Sequence, residues 1–342
     1  MATIYAAFRD GAGRVFRAPS VLLGVFLVTL LMAVPPGIVI QNSISSSLGH
    51  SQDADTAATG VNTEWWDRFS ETATGLDGTF APTIIGFGAV LDNLSRFVDN
   101  GAVPPVLLGL VAAYLLIWLF LVGGAIDRYA RNRPTRAQAF FGTCGVYFWR
   151  FLRLAIVALI GYAFLFGLIH GWLFDGFYGW ATDDLTVERT AFLLRLGLYA
   201  VFGAVLVFWN VVMDYAKIRA VVEDRHSMLG SVLAAWRFVV GHPLRTGGLY
   251  LLNGVMFLAV VAVYAGLAPG AAGAGPMAWL GFAVGQVYLL ARLAVKLGFY
   301  ASQTAMFQRS LAHVDYTAAP MPVWPDSPAA EAIGNAPAAN LQ

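Results

Sequence analysis

Residues 213–243 read MDYAKIRAVVEDRHSMLGSVLAAWRFVVGHP, a charged and amphipathic segment that lies between two long apolar runs. The run 196–213 before it and the run 246–291 after it contain no charged residue, and Asp214 directly follows the first run. A helix of about 20 apolar residues crosses the roughly 30 Å hydrocarbon core of a bilayer. The first run is therefore long enough for one crossing and the second for two, so the segment is predicted to lie at a membrane surface.

Three further apolar runs lie towards the N-terminus, at residues 21–40, 104–126 and 154–174. Only 12% of the residues are charged, whereas soluble domains have about 25%. The sequence therefore predicts an all-α fold, a six-helix transmembrane bundle. We expect residues 1–19 to form an interfacial amphipathic helix and residues 20–317 the membrane domain, with an outer acidic loop at 44–103. The Pro- and Ala-rich tail 318–342 is predicted to be disordered.

Two details of the N-terminal third are predicted from local composition. Pro35, Pro36 and Gly37 should kink or end the first spanning helix, because proline removes a helical hydrogen bond. Residues 45–63 are predicted to be a flexible loop. The aromatic residues that follow are predicted to form an interfacial belt, since indole rings favour the headgroup zone; they are Trp65, Trp66 and Phe69.

The distribution of positive charge predicts an orientation. If the N-terminus, the 2–3 connection, the 4–5 connection and the C-terminal end share one side, that side holds all but four of the 21 lysine and arginine residues. The four exceptions lie among the acidic residues of the other side: Arg68, Arg96, Arg189 and Arg195. Because short cytoplasmic loops are enriched in basic residues, both termini are predicted to be cytoplasmic, in a bacterial inner membrane.

A weaker copy of residues 213–243 occurs earlier in the chain. Aligning Asp127 with Asp214 superimposes the triplet around Trp149 and Arg150 on the triplet around Trp236 and Arg237. The chain would then consist of three units, each an interfacial helix followed by a transmembrane hairpin. The alternative is coincidence, because tryptophan and arginine both collect at membrane interfaces.

The segment also carries a family resemblance. It resembles the membrane domain attached to some glycerophosphodiester phosphodiesterases, within a loose group of bacterial polytopic proteins. The residues that carry the resemblance are Val222, Glu223, Asp224, Ser227, Leu229, Trp236, Arg237, Phe238, His242 and Pro243. The chain has no room for the catalytic phosphodiesterase domain, so the resemblance does not imply that activity.

Five polar residues within the spans form the candidate site: Asn210, Asp214, Asn253, Arg292 and Lys296. Ionisable groups inside a bilayer are functional candidates by default. At about 1.5 Å of rise per residue, all five are predicted to lie towards the cytoplasmic ends of their helices. One hypothesis is a cluster that binds an anionic headgroup or small anion. The other is a structural ion pair of Asp214 with Arg292 or Lys296 that joins two helices.

The sequence favours no reaction. It has no signature of a metalloprotease, serine hydrolase or nucleotide-binding protein, and we predict no catalytic residue, cofactor or metal. The favoured function is a membrane scaffold or assembly partner, or an organiser of anionic lipid, with a protein partner or further copies of itself and no nucleic acid. A transporter with a path between the repeats is the second hypothesis, and an intramembrane enzyme the third.

Overall fold

The computed structural model describes residues 2–49, 51–59, 62–81, 87–268 and 275–312, and this part of the chain is helical without any strand. The predicted all-α class is confirmed. The tail 318–342 lies outside the described residues. The α-helices are α1 (Ala2–Phe16), α2 (Pro19–Leu48), α3 (Asp53–Thr59), α4 (Thr63–Thr72), α5 (Phe87–Val98), α6 (Pro105–Arg131), α7 (Ala137–Phe164), α8 (Tyr178–Thr182), α9 (Glu188–Val222), α10 (Met228–Gly241), α11 (Pro243–Leu267) and α12 (Pro276–Ala312).

Six helical segments within the described ranges are long and apolar enough to cross a membrane. They are α2, α6, the continuous segment Ala137–Thr182 that runs from α7 through α8, α9, α11 and α12. The predicted number of membrane-length helices is therefore confirmed. Each contains an apolar stretch of 18 residues, which is close to the length of helix that crosses a bilayer.

The chain forms two compact units. Among the described residues, the first contains those up to Val21, the range Leu116–Asn253 and those from Lys296 onward. The second contains Leu22–Leu115 and Gly254–Val295. The core of the first unit is built from the C-terminal parts of three helices. Buried residues run along Leu121–Tyr129 of α6, Val211–Val221 of α9 and Ala301–Phe307 of α12.

The amphipathic helix α1 packs directly on this core. A Cβ atom at Gly11 would overlap the backbone of Ser302, so glycine allows α1 and α12 to approach closely. Arg14 is buried and its Nη1 atom donates to the carbonyl oxygen of Tyr129 and to Gln308 Oε1, both at 2.8 Å. A cation at the C-terminal end of α6 also interacts favourably with the helix dipole.

The interfacial helix that the three-unit repeat predicts before the third span is not a separate helix. Residues 137–153 are the first part of α7 and continue into the span without a break. The other two amphipathic helices end before a proline, Pro19 after α1 and Pro243 after α10. No proline occurs at the corresponding junction in α7, so nothing there removes a backbone donor from the helix.

The segment that continues α7 contains two π-helical turns, Leu165–Ile169 and Trp172–Phe177. Leu165 and Leu173 pack against Leu198, Phe202 and Leu206 of α9. One α-helical turn before the first π turn, Gly161 leaves room for the indole ring of Trp209, which a Cβ would overlap. This face of α7 is therefore fitted closely to α9.

Helix α2 does not end at Pro35 and Pro36 but continues to Leu48, because a long spanning helix tolerates the loss of two internal donors. The kink at these residues stays a prediction, whereas the flexible loop predicted for residues 45–63 is wrong. Residues 45–63 contain the end of α2 and all of α3. The predicted belt residues Trp65 and Phe69 are buried and stacked, with ring centroids 5.2 Å apart. Trp65 Nε1 donates to Ser47 Oγ at 3.0 Å, so its polar group faces protein.

Candidate functional site

The ion pair of Asp214 is formed within its own helix. Lys217 Nζ donates to Asp214 Oδ1 at 3.0 Å, one turn later in α9. The same ammonium group contacts the hydroxyl oxygen of Tyr300 in α12 at 3.3 Å. The link between α9 and α12 is therefore made by Lys217 and Tyr300, and the pairing of Asp214 described by the structure differs from the predicted one with Arg292 or Lys296. Both charged side chains are less than a quarter exposed.

The two predicted amides make separate contacts. Tyr162 in α7 donates its hydroxyl hydrogen to Asn210 Oδ1 at 2.5 Å, and Asn210 Nδ2 donates to the Leu206 carbonyl. Asn253 is buried in α11, and its Nδ2 atom donates to Ser302 Oγ at 3.0 Å. Each amide thus joins two helices.

Lys296 lies against an aromatic pair. Its Nζ atom is 3.5 Å from the ring centroid of Trp118, which is in contact range for a cation–π interaction. Trp118 in turn lies 6.3 Å from the Tyr300 ring, measured between centroids. Tyr300 therefore contacts both Trp118, which lies against Lys296, and Lys217, which pairs with Asp214.

Arg292, the fifth predicted residue, belongs to the second unit. There its side chain is exposed, four residues after Tyr288 in α12. The predicted cluster is thus divided. Asn210, Asp214, Asn253 and Lys296 are placed in the first unit, while Arg292 lies in the second.

Five residues that hold the first group together were not among the predicted site residues. They are Lys217, Tyr300, Trp118, Tyr162 and Ser302. The spacing of Asp214 and Lys217 is a helical i,i+3 pair that could have been recognised from the sequence. The aromatic partners could not, because their contacts depend on the rotation of each helix about its axis.

One end of the first unit is rich in arginine. The contacts of Arg14 join α1 to α6 and α12, Arg150 of α7 pairs with Asp224 at 2.5 Å, and the ring centroids of Phe238 and Phe307 lie 5.3 Å apart between α10 and α12. We call this the arginine-rich end. It brings together α1, the connections on either side of α10, the start of α7 and the final turns of α6, α9 and α12.

Every described acidic side chain at the arginine-rich end forms an ion pair. Asp10 pairs with Arg14 and Arg309, and Asp127 pairs with Arg131 at 2.8 Å. Glu223 pairs with Arg219 and Arg225, while Asp214 and Asp224 have the partners given above. Each described carboxylate of this end therefore has a basic partner within the chain.

Seven exposed arginines remain at this end without an ion pair to any described carboxylate: Arg9, Arg17, Arg133, Arg136, Arg153, Arg237 and Arg245. Charges on a solvated surface attract counter-ions over a Debye length of about 8 Å. The arginine-rich end therefore carries surplus positive charge that attracts anions at its surface.

The repeat anchors occupy different surroundings. Asp127 is paired with Arg131 in α6, whereas Asp214 is paired with Lys217. Trp149 is 66% exposed and Arg150 reaches Asp224, whereas Trp236 contacts Phe208 and Arg237 is exposed. The three-unit repeat stays a prediction.

Within the described residues, no group of three or more His, Cys, Asp or Glu side chains could hold a metal ion. Cys144 is fully buried, and a Cβ at Gly124 would meet its sulfur. No protein-family model, curated protein or solved structure matches this chain.

Proposed function

We propose that this chain is a multi-pass protein of the bacterial inner membrane that gathers anionic lipid around its arginine-rich end. Both termini would be cytoplasmic. The observation that carries the proposal is the set of seven exposed arginines beside carboxylates that are all paired. Anionic headgroups attract basic residues near the membrane surface by about 1 kcal/mol per residue.

In this role the protein would act as a scaffold, without catalysis. The bound lipid, together with exposed aromatic side chains such as Trp149, would form the surface that binds a protein partner or further copies of the chain. The resemblance to the membrane domain of glycerophosphodiester phosphodiesterases stays a prediction, since no family model matches the chain.

A charge-removing variant tests the lipid proposal. Replacing Arg133 and Arg237 by glutamine should lower the preference for phosphatidylglycerol over phosphatidylcholine about tenfold to thirtyfold, since two favourable charge contacts are lost. The measurement is native mass spectrometry of the protein released from nanodiscs that contain both lipids. Raising the salt concentration should weaken the preference of the unmodified protein.

The matched control removes two arginines elsewhere. Arg68 and Arg96 lie in the second unit and pair with Asp53 and Asp92. Their replacement by glutamine changes the net charge equally and should leave the lipid preference unchanged. Equal losses in the two double variants would show that net charge alone sets the preference, and the arginine-rich end would then have no special role.

A second candidate function is transport. The observation that favours it is the Asp214–Lys217–Tyr300 group, which places two ionisable side chains inside membrane-length helices. In proteoliposomes with a trapped pH-sensitive dye, a transporter that moves protons through this group should dissipate an imposed pH gradient. Replacement of Asp214 by asparagine should abolish that flux. A gradient that decays no faster than in empty vesicles would contradict proton-coupled transport.

A further inference from the structure

Helix α10 has two apolar faces. The first is buried within the first unit and consists of Met228, Ser231, Ala235 and Val239. The second, which we call the outer face, carries large apolar side chains that are 45% to 70% exposed: Leu229, Leu233, Trp236 and Val240. Arg237 is the one polar residue among the exposed residues of this helix. A helix that borders water has a polar face, so the outer face of α10 calls for an apolar partner.

The contacts of α10 place its outer face beside the apolar part of α9. The ring of Trp236 lies edge-on to the ring of Phe208, with centroids 4.8 Å apart. Phe208 precedes Asp214 by six residues, or about 9 Å along the helix, and belongs to an uncharged run. Trp236 is therefore level with residues of α9 that a spanning helix places in hydrocarbon.

The buried face of α10 is fixed to the same helix nearer its end. Arg219 Nη1 donates to the carbonyl oxygen of Ala234 at 2.9 Å. The Phe238 ring lies between Tyr215 of α9 and Phe307 of α12, with centroids 5.0 Å and 5.3 Å away. These contacts hold α10 against the core of the first unit, so the outer face cannot be covered by a rotation of the helix about its own axis.

The exposed apolar surface continues onto the helices on either side of α10. Val205, one turn before Phe208 in α9, is exposed, and so is Leu244, which follows Val240 by four residues at the start of α11. Both α9 and α11 are membrane-length helices, whose exposed apolar side chains face acyl chains in a bilayer. Arg237 adjoins this surface, and a long basic side chain can reach the phosphates of lipids while its stem stays in the apolar layer.

We propose that the outer face of α10 is inserted among the acyl chains of the leaflet at the arginine-rich end, with Arg237 at the level of the lipid phosphates. The occupant of this face is the bilayer itself, because the same apolar surface extends onto two membrane-length helices. An inserted amphipathic helix is buried about 5–10 Å into the boundary between headgroups and acyl chains. The inference rests on the proposed membrane location, but it does not depend on the preference for anionic lipid.

The test uses the full-length protein with the single substitutions Leu233→Cys and Val240→Cys. Each introduced cysteine is labelled in detergent with the fluorophore NBD, which buried Cys144 does not take up, and the protein is placed in phosphatidylcholine nanodiscs. Lipid with a doxyl group on its acyl chain should quench both labels. Iodide should quench them about tenfold less than a label at His226→Cys, because an ion is excluded from hydrocarbon. His226 is exposed in the connection before α10 and provides the aqueous reference.

A label at Leu251→Cys, on the exposed side of α11, provides the lipid reference. If iodide quenches the two α10 labels as strongly as the His226 label, α10 lies in water and the proposal is overturned. Protection from both quenchers would overturn it equally, since a second copy or another protein would then cover the outer face. Should one labelled variant fail to fold, the other decides.

The lipid reference separates this inference from the proposed function. If the Leu251 label is also open to iodide, the membrane location of the first unit fails with it, whereas iodide access at α10 alone contradicts only the insertion of this helix. Because the nanodiscs contain phosphatidylcholine alone, a missing preference for anionic lipid would leave the expected quenching unchanged.

Discussion

A Gly11→Ala variant is expected to unfold more readily than the unmodified protein, although alanine is the better helix former. The added methyl group would overlap the Ser302 backbone, which cannot move aside as a flexible side chain would. Helix α1 would have to shift away from α12, and Arg14 would lose its bonds to Tyr129 and Gln308. Overpacking of this kind costs about 1–3 kcal/mol, and each lost bond of a charged group adds about 1.5 kcal/mol or more.

Gly13 provides the matched control within the same helix. A Cβ there meets only the far end of the Arg17 side chain, at 4.0 Å. Gly13→Ala should therefore stabilise the protein by up to about 1 kcal/mol through helix propensity. Thermal unfolding in detergent measures both variants, and hydrogen exchange of α1 reports its detachment. The same sign of change in the two variants would contradict the packing of α1 against α12.

An Asp214→Ala variant should show the second large effect. It leaves the Lys217 ammonium without its carboxylate, with Tyr300 as the remaining contact described above. Leaving one member of a largely buried ion pair unpaired typically costs about 3–5 kcal/mol. We expect a correspondingly lower unfolding temperature and a smaller folded fraction in detergent.

The double variant Asp214→Ala with Lys217→Met separates the loss of the pair from the presence of a stranded charge. Methionine keeps much of the volume of lysine without its charge, so the double variant should recover most of the stability. Circular dichroism and thermal unfolding of the two variants provide the comparison. A double variant less stable than Asp214→Ala would show that the Lys217 ammonium stabilises the protein through Tyr300 even without Asp214.

The six spans could be predicted from the sequence because crossing a bilayer depends on a length of uncharged chain, which is a local property. The contacts around Asp214 depend on residues from two helices, so they are not a local property of the sequence. Lys217 lies one turn away in α9 and was within reach of sequence reasoning, but Tyr300 comes from α12. Packing decides which face of a spanning helix meets its neighbour. A helix that is apolar on all sides has no sequence pattern that shows its rotation about its own axis.

Arg292 shows the same limit more strongly. Its distance along α12 from Lys296 is a single helical turn, which suggested one cluster. The structure assigns the two residues to different units. A boundary between compact units leaves no mark in an uninterrupted apolar helix, so sequence alone could not place it.

The differences from expectation in the second unit also have physical causes. Pro35 and Pro36 favour a helix end in water, where freed carbonyls are solvated, but a spanning helix continues through them because its neighbouring turns keep their hydrogen bonds. Trp65 was predicted to be an interfacial side chain because indole rings favour the headgroup zone of the membrane. Its stacking on Phe69 and its bond to Ser47 arise from the fold of α4 on α2.

The burial of Cys144 has a practical consequence. It is the single cysteine of the chain and is closed off beside Gly124, so the folded protein offers almost no background reaction to maleimides. A cysteine introduced at any exposed connection becomes the dominant target of a reagent that cannot cross lipid. The sidedness of every loop in intact cells can thus be mapped one position at a time, without first removing a native thiol.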